Sequence, residues 1–135
     1  MPEITNKFTP EQRAWIDLLK TTDAKQAHGY LKTCDGAYCC LGLLWEQILG
    51  EVGRESTFKE WTYFGPFDSY MALDTEAAKK IHLHARGGDT KSGYFEIHRS
   101  LAEMNDGGVS FKDIGLHLEK FPHIYFDNFD ENWKR

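Results

Sequence analysis

The sequence predicts an α+β fold: a single compact domain of about four to five helices packed on a small antiparallel sheet. Three observations lead there. Leu41, Leu44, Trp45, Ile48 and Val52 recur at the spacing of one buried helix face, which Leu43 and Leu49 widen. Just upstream, an extended stretch over residues 28–33 runs into Asp35-Gly36, a pair suited to a hairpin turn because glycine accepts positive φ. Further helix starts announce themselves by capping residues, at Thr9, at Asp74 or Thr75, and at Ser110.

At 135 residues, 41% apolar and 14% aromatic, the chain is long and apolar enough to form a core without staples, so residues 1–135 are read as one domain. No apolar run approaches the roughly 18 residues of a membrane span. The opening MPEITNKFTPEQ lacks a basic flank and an apolar segment, and a cytosolic setting is expected. Three cysteines, two of them adjacent, make a poor disulfide framework and point to reduced thiols. Twenty-one acids against 16 bases leave a net charge of −5, which argues against a phosphate-binding nucleic-acid surface and is too small an excess for a DNA mimic.

Taken in order, residues 1–8 read as a loose lead-in. Thr9-Pro10-Glu11-Gln12 is a capping box with proline in the first turn, and Ala14, Trp15, Leu18 and Leu19 share a face of the helix it opens. Gly42, inside the long apolar helix, costs about 1 kcal/mol relative to alanine, so another backbone is expected to pack against it. The aromatic stretch 53–74 suggests one short strand at 60–64, broken by Gly65-Pro66. A short helix follows through Ala77, Ala78 and Ile81. Residues 84–93 form the longest polar, glycine-rich loop, of the kind that is functional or mobile. Tyr94, Ile97, Leu101 and Met104 mark a helix stopped by Asn105-Asp106-Gly107-Gly108. Ser110 caps the last helix, with Phe111, Ile114 and Leu118 inward. Pro122 ends it, Ile124-Tyr125-Phe126 suggests a closing strand, and 127–135 reads as a solvated acidic tail.

Three blocks carry a family resemblance: Lys25-Gln26-Ala27-His28-Gly29-Tyr30-Leu31, Tyr38-Cys39-Cys40-Leu41-Gly42-Leu43-Leu44, and Met104-Asn105-Asp106-Gly107-Gly108-Val109-Ser110-Phe111-Lys112-Asp113-Ile114. With Trp15-Ile16 in the first helix, the chain resembles a family of small bacteriophage-encoded proteins with KQ..G.L, YCCLG.L and ND.G.SF..I patterns. The resemblance implies a phage accessory protein in the cytoplasm of an infected host. It carries over no catalytic residue.

Several constellations invite chemistry. Cys39 and Cys40 precede a helix, where thiolate is favoured, and His28 across the turn would complete a Cys–His pair. The competing reading is packing, since free cysteine is a small hydrophobe. Lys25, Gln26 and His28 offer charge-assisted donors and an amide to a phosphate-bearing ligand, or merely form a solvated edge. Tyr38 joins them as a candidate contact. Asn105 and Asp106 suffice as a helix stop but are polar enough to reach a ligand. Read as a calcium loop, that block would need Ala102 and Met104 as ligands, and fails. Arg86 and Lys91 place cations in the glycine-rich loop, without the spacing of a P-loop. The histidines show no zinc spacing, so no metal and no cofactor are expected.

The expected ligand-binding set is therefore Lys25, Gln26, His28, Tyr38, Arg86, Lys91, Asn105 and Asp106. The leading reading is a non-enzymatic binder that sequesters a small nucleotide-type signal to counter host defence, with no nucleic-acid or membrane partner. The alternatives are a cysteine-dependent hydrolase or transferase using Cys39 or Cys40 with His28, and a protein-interaction inhibitor of a host factor using the 53–70 aromatics or the acidic tail. A homo-oligomer is expected on general grounds, because symmetric dimers are common.

Overall fold

A computed structural model describes residues 3–56, 60–94 and 98–134, and among these it has six α-helices and a two-stranded antiparallel sheet, an α+β arrangement. Helix α1 (Pro10–Thr21) starts in a full capping box, with Thr9 and Gln12 exchanging side-chain-to-backbone hydrogen bonds. Its buried face carries Trp15, Ile16 and Leu19. Helix α2 (Cys40–Leu43) runs directly into a π-helical segment, Leu44–Ile48, closed by the Leu49 amide donating to the Leu44 carbonyl at 2.9 Å. Helices α3 (Thr75–Lys80) and α5 (Phe111–Lys120) are capped at positions the sequence predicts, by Asp74 and Ser110, and α4 (Leu101–Asp106) is capped by Ser100. A last turn, α6 (Pro122–Tyr125), follows.

The sheet joins β1 (Arg54–Glu55) to β2 (Thr62–Tyr63), with Arg54 opposite Tyr63 and Glu55 opposite Thr62. On the other side of β2, the Thr62 amide donates to Lys32 at 2.9 Å and the Cys34 amide to Glu60 at 3.3 Å. The turn predicted at Asp35-Gly36 is present, with Gly36 at φ +89° and its amide donating to Thr33. One apolar cluster links Trp15 of α1, Leu41, Leu43 and Leu44 of the central helix, and Leu118, Phe126 and Phe129 towards the end of the chain. Gly42 sits where it meets the 28–33 segment. A Cβ there would stand 1.8 Å from the Leu31 carbonyl oxygen, so the expected close backbone approach is real. No helix among the described residues is long and apolar enough to cross a membrane.

Other expectations need correction. Residues 28–33 do not form a strand. Gln26, Lys32 and Thr33 make isolated bridges, because the segment bends between them to follow α2. Val52 is 79% exposed rather than part of the helix face, since helical structure ends at Ile48. The helix predicted from Tyr94 begins only at Leu101, where the Ser100–Glu103 capping box fixes its start; Ile97 falls outside the described residues, as does Phe58. The closing strand 124–126 is instead the turn α6, and only Phe126 bridges, to Leu83.

The chain ends differ as well. Among residues 127–134, Glu131, Asn132 and Lys134 are exposed, yet Asn128 and Phe129 are buried. Asn128 exchanges side-chain hydrogen bonds with the buried Gln12 and accepts the Thr5 and Asn6 amides on its backbone carbonyl. Phe8 lies against Phe129 with ring centroids 4.8 Å apart. The lead-in and the tail are thus tied to each other and to α1.

Gly42→Ala is expected to cost about 3 kcal/mol or more, since a backbone carbonyl cannot move aside as a side chain can. Gly87→Ala, whose Cβ would meet nothing nearer than 3.9 Å, should change stability by less than about 0.5 kcal/mol. Urea denaturation of both variants reads the difference.

Candidate functional site

The three motif blocks do meet in space, and the carboxamide of Asn105 is where they meet. Its Oδ1 accepts from Gln26 Nε2 at 2.9 Å and from the Cys40 amide at 3.2 Å. Its Nδ2 donates to the Ala27 carbonyl at 2.7 Å and to Asp106 Oδ1 at 3.3 Å. Gln26 Nε2 also donates to Val109 O at 2.7 Å, and Asp106 Oδ1 accepts the Gly29 amide at 2.8 Å. His28 Nδ1 lies 3.1 Å from the Asn105 carbonyl oxygen. A carboxamide offers two donors and two lone-pair directions. Those of Asn105, which is fully buried, are all spent on this protein. The expected ligand contacts Gln26, His28, Asn105 and Asp106 therefore converge on an internal clasp. Lys25 stands outside it, exposed, and among the described residues reaches only Asp35, at 3.4 Å.

Both thiols of the Cys39-Cys40 pair are buried. Cys39 caps α2 through its sulfur, which accepts from the Gly42 amide at 3.4 Å. Cys40 Sγ points at the Leu101 carbonyl, 3.8 Å away. Burial pushes the Cys39 thiol up to about 11, against smaller opposing effects of backbone amides, and pushes Cys40 up as well. Neither sulfur is hydrogen-bonded to His28, whose Nδ1 lies against the Asn105 carbonyl oxygen. The Cys–His nucleophile is corrected accordingly: the helix start favours thiolate, and desolvation overrides it.

Tyr38 belongs to a second internal contact. Its hydroxyl donates to Glu46 Oε1 at 2.5 Å, and Lys32 donates to Glu46 Oε2 at 2.6 Å while lying over the Tyr38 ring. Burial opposes the Lys32 charge, but Glu46 and Tyr38 outweigh it and its pKa is raised.

Arg86 and Lys91 part company. Lys91 Nζ donates to the Phe129 carbonyl at 2.9 Å and is partly desolvated, which lowers its pKa. Arg86 lines an open cleft of about 640 Å³ between α3 and the loop after it, with Thr75, Lys79, His84, Asp89 and Asp127. There His84 Nδ1 stands 3.1 Å from Asp127 Oδ1. Among the described residues the Arg86 guanidinium makes no hydrogen bond or ion pair, and Lys79 reaches only Glu76, at 3.9 Å. Thr75, Lys79, Asp89 and Asp127 were not singled out from the sequence. In the sequence Thr75 reads as a candidate helix cap and Lys79 as an ordinary helix residue, and only Arg86 in a polar loop points this way. No group of three potential metal ligands occurs among the described residues.

Asn105→Ala leaves the Ala27 carbonyl and the Cys40 amide without their partner and removes one of the two acceptors of Gln26 Nε2, and should destabilise by about 3 kcal/mol in urea denaturation. Asn105→Asp, which loses the donor and adds charge beside Asp106, should rescue little. The thiols carry a pH signature. A thiol whose folded pKa is raised contributes stability that is complete below the unfolded value and is lost as pH rises through about 11. Denaturation midpoints should therefore fall more steeply between roughly pH 8.5 and 11 in the wild type than in Cys39→Ala. Iodoacetamide should leave both thiols unmodified in the native protein at pH 8.

No family model matches the chain, and no curated protein and no solved structure matches it. The likeness to phage-encoded proteins rests on its sequence blocks alone.

Proposed function

We propose that this chain is a non-enzymatic, single-domain binding protein that takes a small nucleotide-type molecule in the cleft between α3 and the following loop. The observation that carries this reading is the Arg86 guanidinium, without a partner among the described residues, beside an open cleft of about 640 Å³. That volume lies within the roughly 300–1,000 Å³ of small-molecule sites. Guanidinium offers a planar fork of donors matched to phosphate oxygens, and Lys79 adds a second cation. Asp89 is a suitable acceptor for ribose hydroxyls. Asp127 is engaged by His84, which reduces its repulsion of an anion. With both adjacent thiols packed away, the cysteine-enzyme alternative loses its nucleophile. In the setting implied by the sequence blocks, the protein is a phage accessory factor in the host cytoplasm that sequesters a nucleotide signal of host defence.

A second reading is favoured by a different surface. Phe67 is 80% exposed and Met71 58%, on one short loop beside the ring cluster of Tyr30, Trp61, Tyr63 and Tyr70. Exposed aromatic and methionine side chains are enriched at protein interfaces. An inhibitor of a host protein would use that loop.

The binding reading predicts that a nucleotide ligand at a hundred times its Kd raises stability by about 2.7 kcal/mol in thermal denaturation. Arg86→Ala should abolish that shift without lowering the melting temperature of the free protein. If no nucleotide shifts the wild type and Phe67→Ala releases a host protein captured from bacterial lysate, the interaction reading replaces it.

A further inference from the structure

The cleft at Arg86 does not stand alone. A second cleft of about 440 Å³ adjoins it, lined by Phe67, Ser69, Asp74, Thr75, Glu76 and Arg86. Thr75 and Arg86 belong to both, so each forms part of the divide between two open hollows. The two sides differ in character. The larger has an apolar floor that includes Ala78 and Leu83, and places Lys79 and Asp89 at its edge. The smaller presents the ring of Phe67, 80% exposed, together with the Ser69 and Glu76 side chains.

The divide is held in place. The Leu73 amide donates to the Arg86 carbonyl at 3.1 Å, the Gly88 amide to Ala85 at 3.0 Å, and the Leu101 and Ala102 amides to Gly88 and Gly87. The backbone around Arg86 is thereby fastened to the segment before α3 and to the first turn of α4. A guanidinium on such a support loses less freedom on binding than one on a free loop.

We propose that the two clefts form one extended site for a two-lobed ligand, in which two ring systems are joined through phosphate. The phosphate lies on Arg86 and Thr75. One ring occupies the larger cleft, with its sugar hydroxyls within reach of Asp89, and the other stacks on Phe67. A mononucleotide fills one side only. This inference rests on the nucleotide reading of the cleft and names the shape of the ligand. No bond is made or broken.

Isothermal titration of the full chain separates the inference from the reading beneath it. The probes are AMP and GMP as one-lobed ligands, and the linear dinucleotide pApA, 3′,3′-cyclic di-AMP and 3′,3′-cyclic di-GMP as two-lobed ones. At least one two-lobed probe should bind about thirtyfold or more tightly than its mononucleotide. Phe67→Ala should weaken that probe about tenfold and leave the mononucleotide unchanged, whereas Arg86→Ala should weaken both. Equal affinity for the two classes, or indifference of the two-lobed probe to Phe67→Ala, confines the ligand to one cleft and overturns the inference while the nucleotide reading survives. Failure of every probe to bind, or binding that ignores Arg86→Ala, removes the nucleotide reading and this inference together.

Discussion

A single buried carboxamide decides how the first third of this chain meets the last. Asn105 binds Gln26, Ala27 and Cys40 at once, joining segments separated by 65 to 79 residues in sequence. Such a contact closes long loops, so its geometry must be satisfied completely to be worth its entropic cost. It is satisfied completely. With the Cys40 amide fixed on Asn105 and the Cys40 carbonyl accepting from Trp15 Nε1 at 3.0 Å, the start of α2 has one position against α1. Gly42 then allows the Leu31 backbone to close over the helix. The burial of both thiols follows from that placement. They are inert because the clasp puts them in the interior.

The same constraint separates framework from surface. The blocks most distinctive in the sequence build the clasp and have little polar capacity left for an outside molecule. The two clefts that share Arg86 come instead from α3, the segment before it and the loop that follows, where the sequence carries no distinctive pattern. This loop is polar and glycine-rich, yet its backbone is bonded at Ala85, Arg86, Gly87 and Gly88 and again at Lys91, whose amide donates to Ile124. Glycine there provides tight passage past Leu101 rather than mobility. Cations that stand only five residues apart, Arg86 and Lys91, consequently have different surroundings.

Local chemistry was the legible part. Thr9, Asp74 and Ser110 cap helices because a short polar side chain can reach its own helix start, and the sequence displays both partners. Gly42 was legible as a close approach for the same reason: its cost inside a helix demanded a neighbour, although not which one. What depended on distant partners could not be read. Gln26, His28, Asn105 and Asp106 are equally suited to a ligand or to one another, and only their arrangement in space decides. Asn128 and Phe129 sit in an acidic stretch that looks solvated, but Gln12 and Phe8, more than a hundred residues earlier, bury them. The 28–33 segment has strand-like composition, yet following α2 takes it out of a continuous ladder and leaves isolated bridges.

The net charge of −5 bears on how an anion would reach the cleft. At physiological salt, exposed charges farther than about 8 Å apart are largely screened, so the overall excess of acid neither bars nor assists a ligand already at Arg86. Across the two clefts the balance is local: Arg86 and Lys79 against Asp74, Glu76, Asp89 and Asp127, with Glu76 facing Lys79 and Asp127 facing His84. With two cations against four carboxylates, the site gives no long-range attraction for an anion. Association with an anion would then lack electrostatic acceleration, and affinity would come from short contacts that slow release. Stacking and a bidentate guanidinium are contacts of that kind. A cleft of mixed charge selects a ligand by the arrangement of its groups, favouring one that carries hydroxyls and ring faces beside its phosphate over a simple anion.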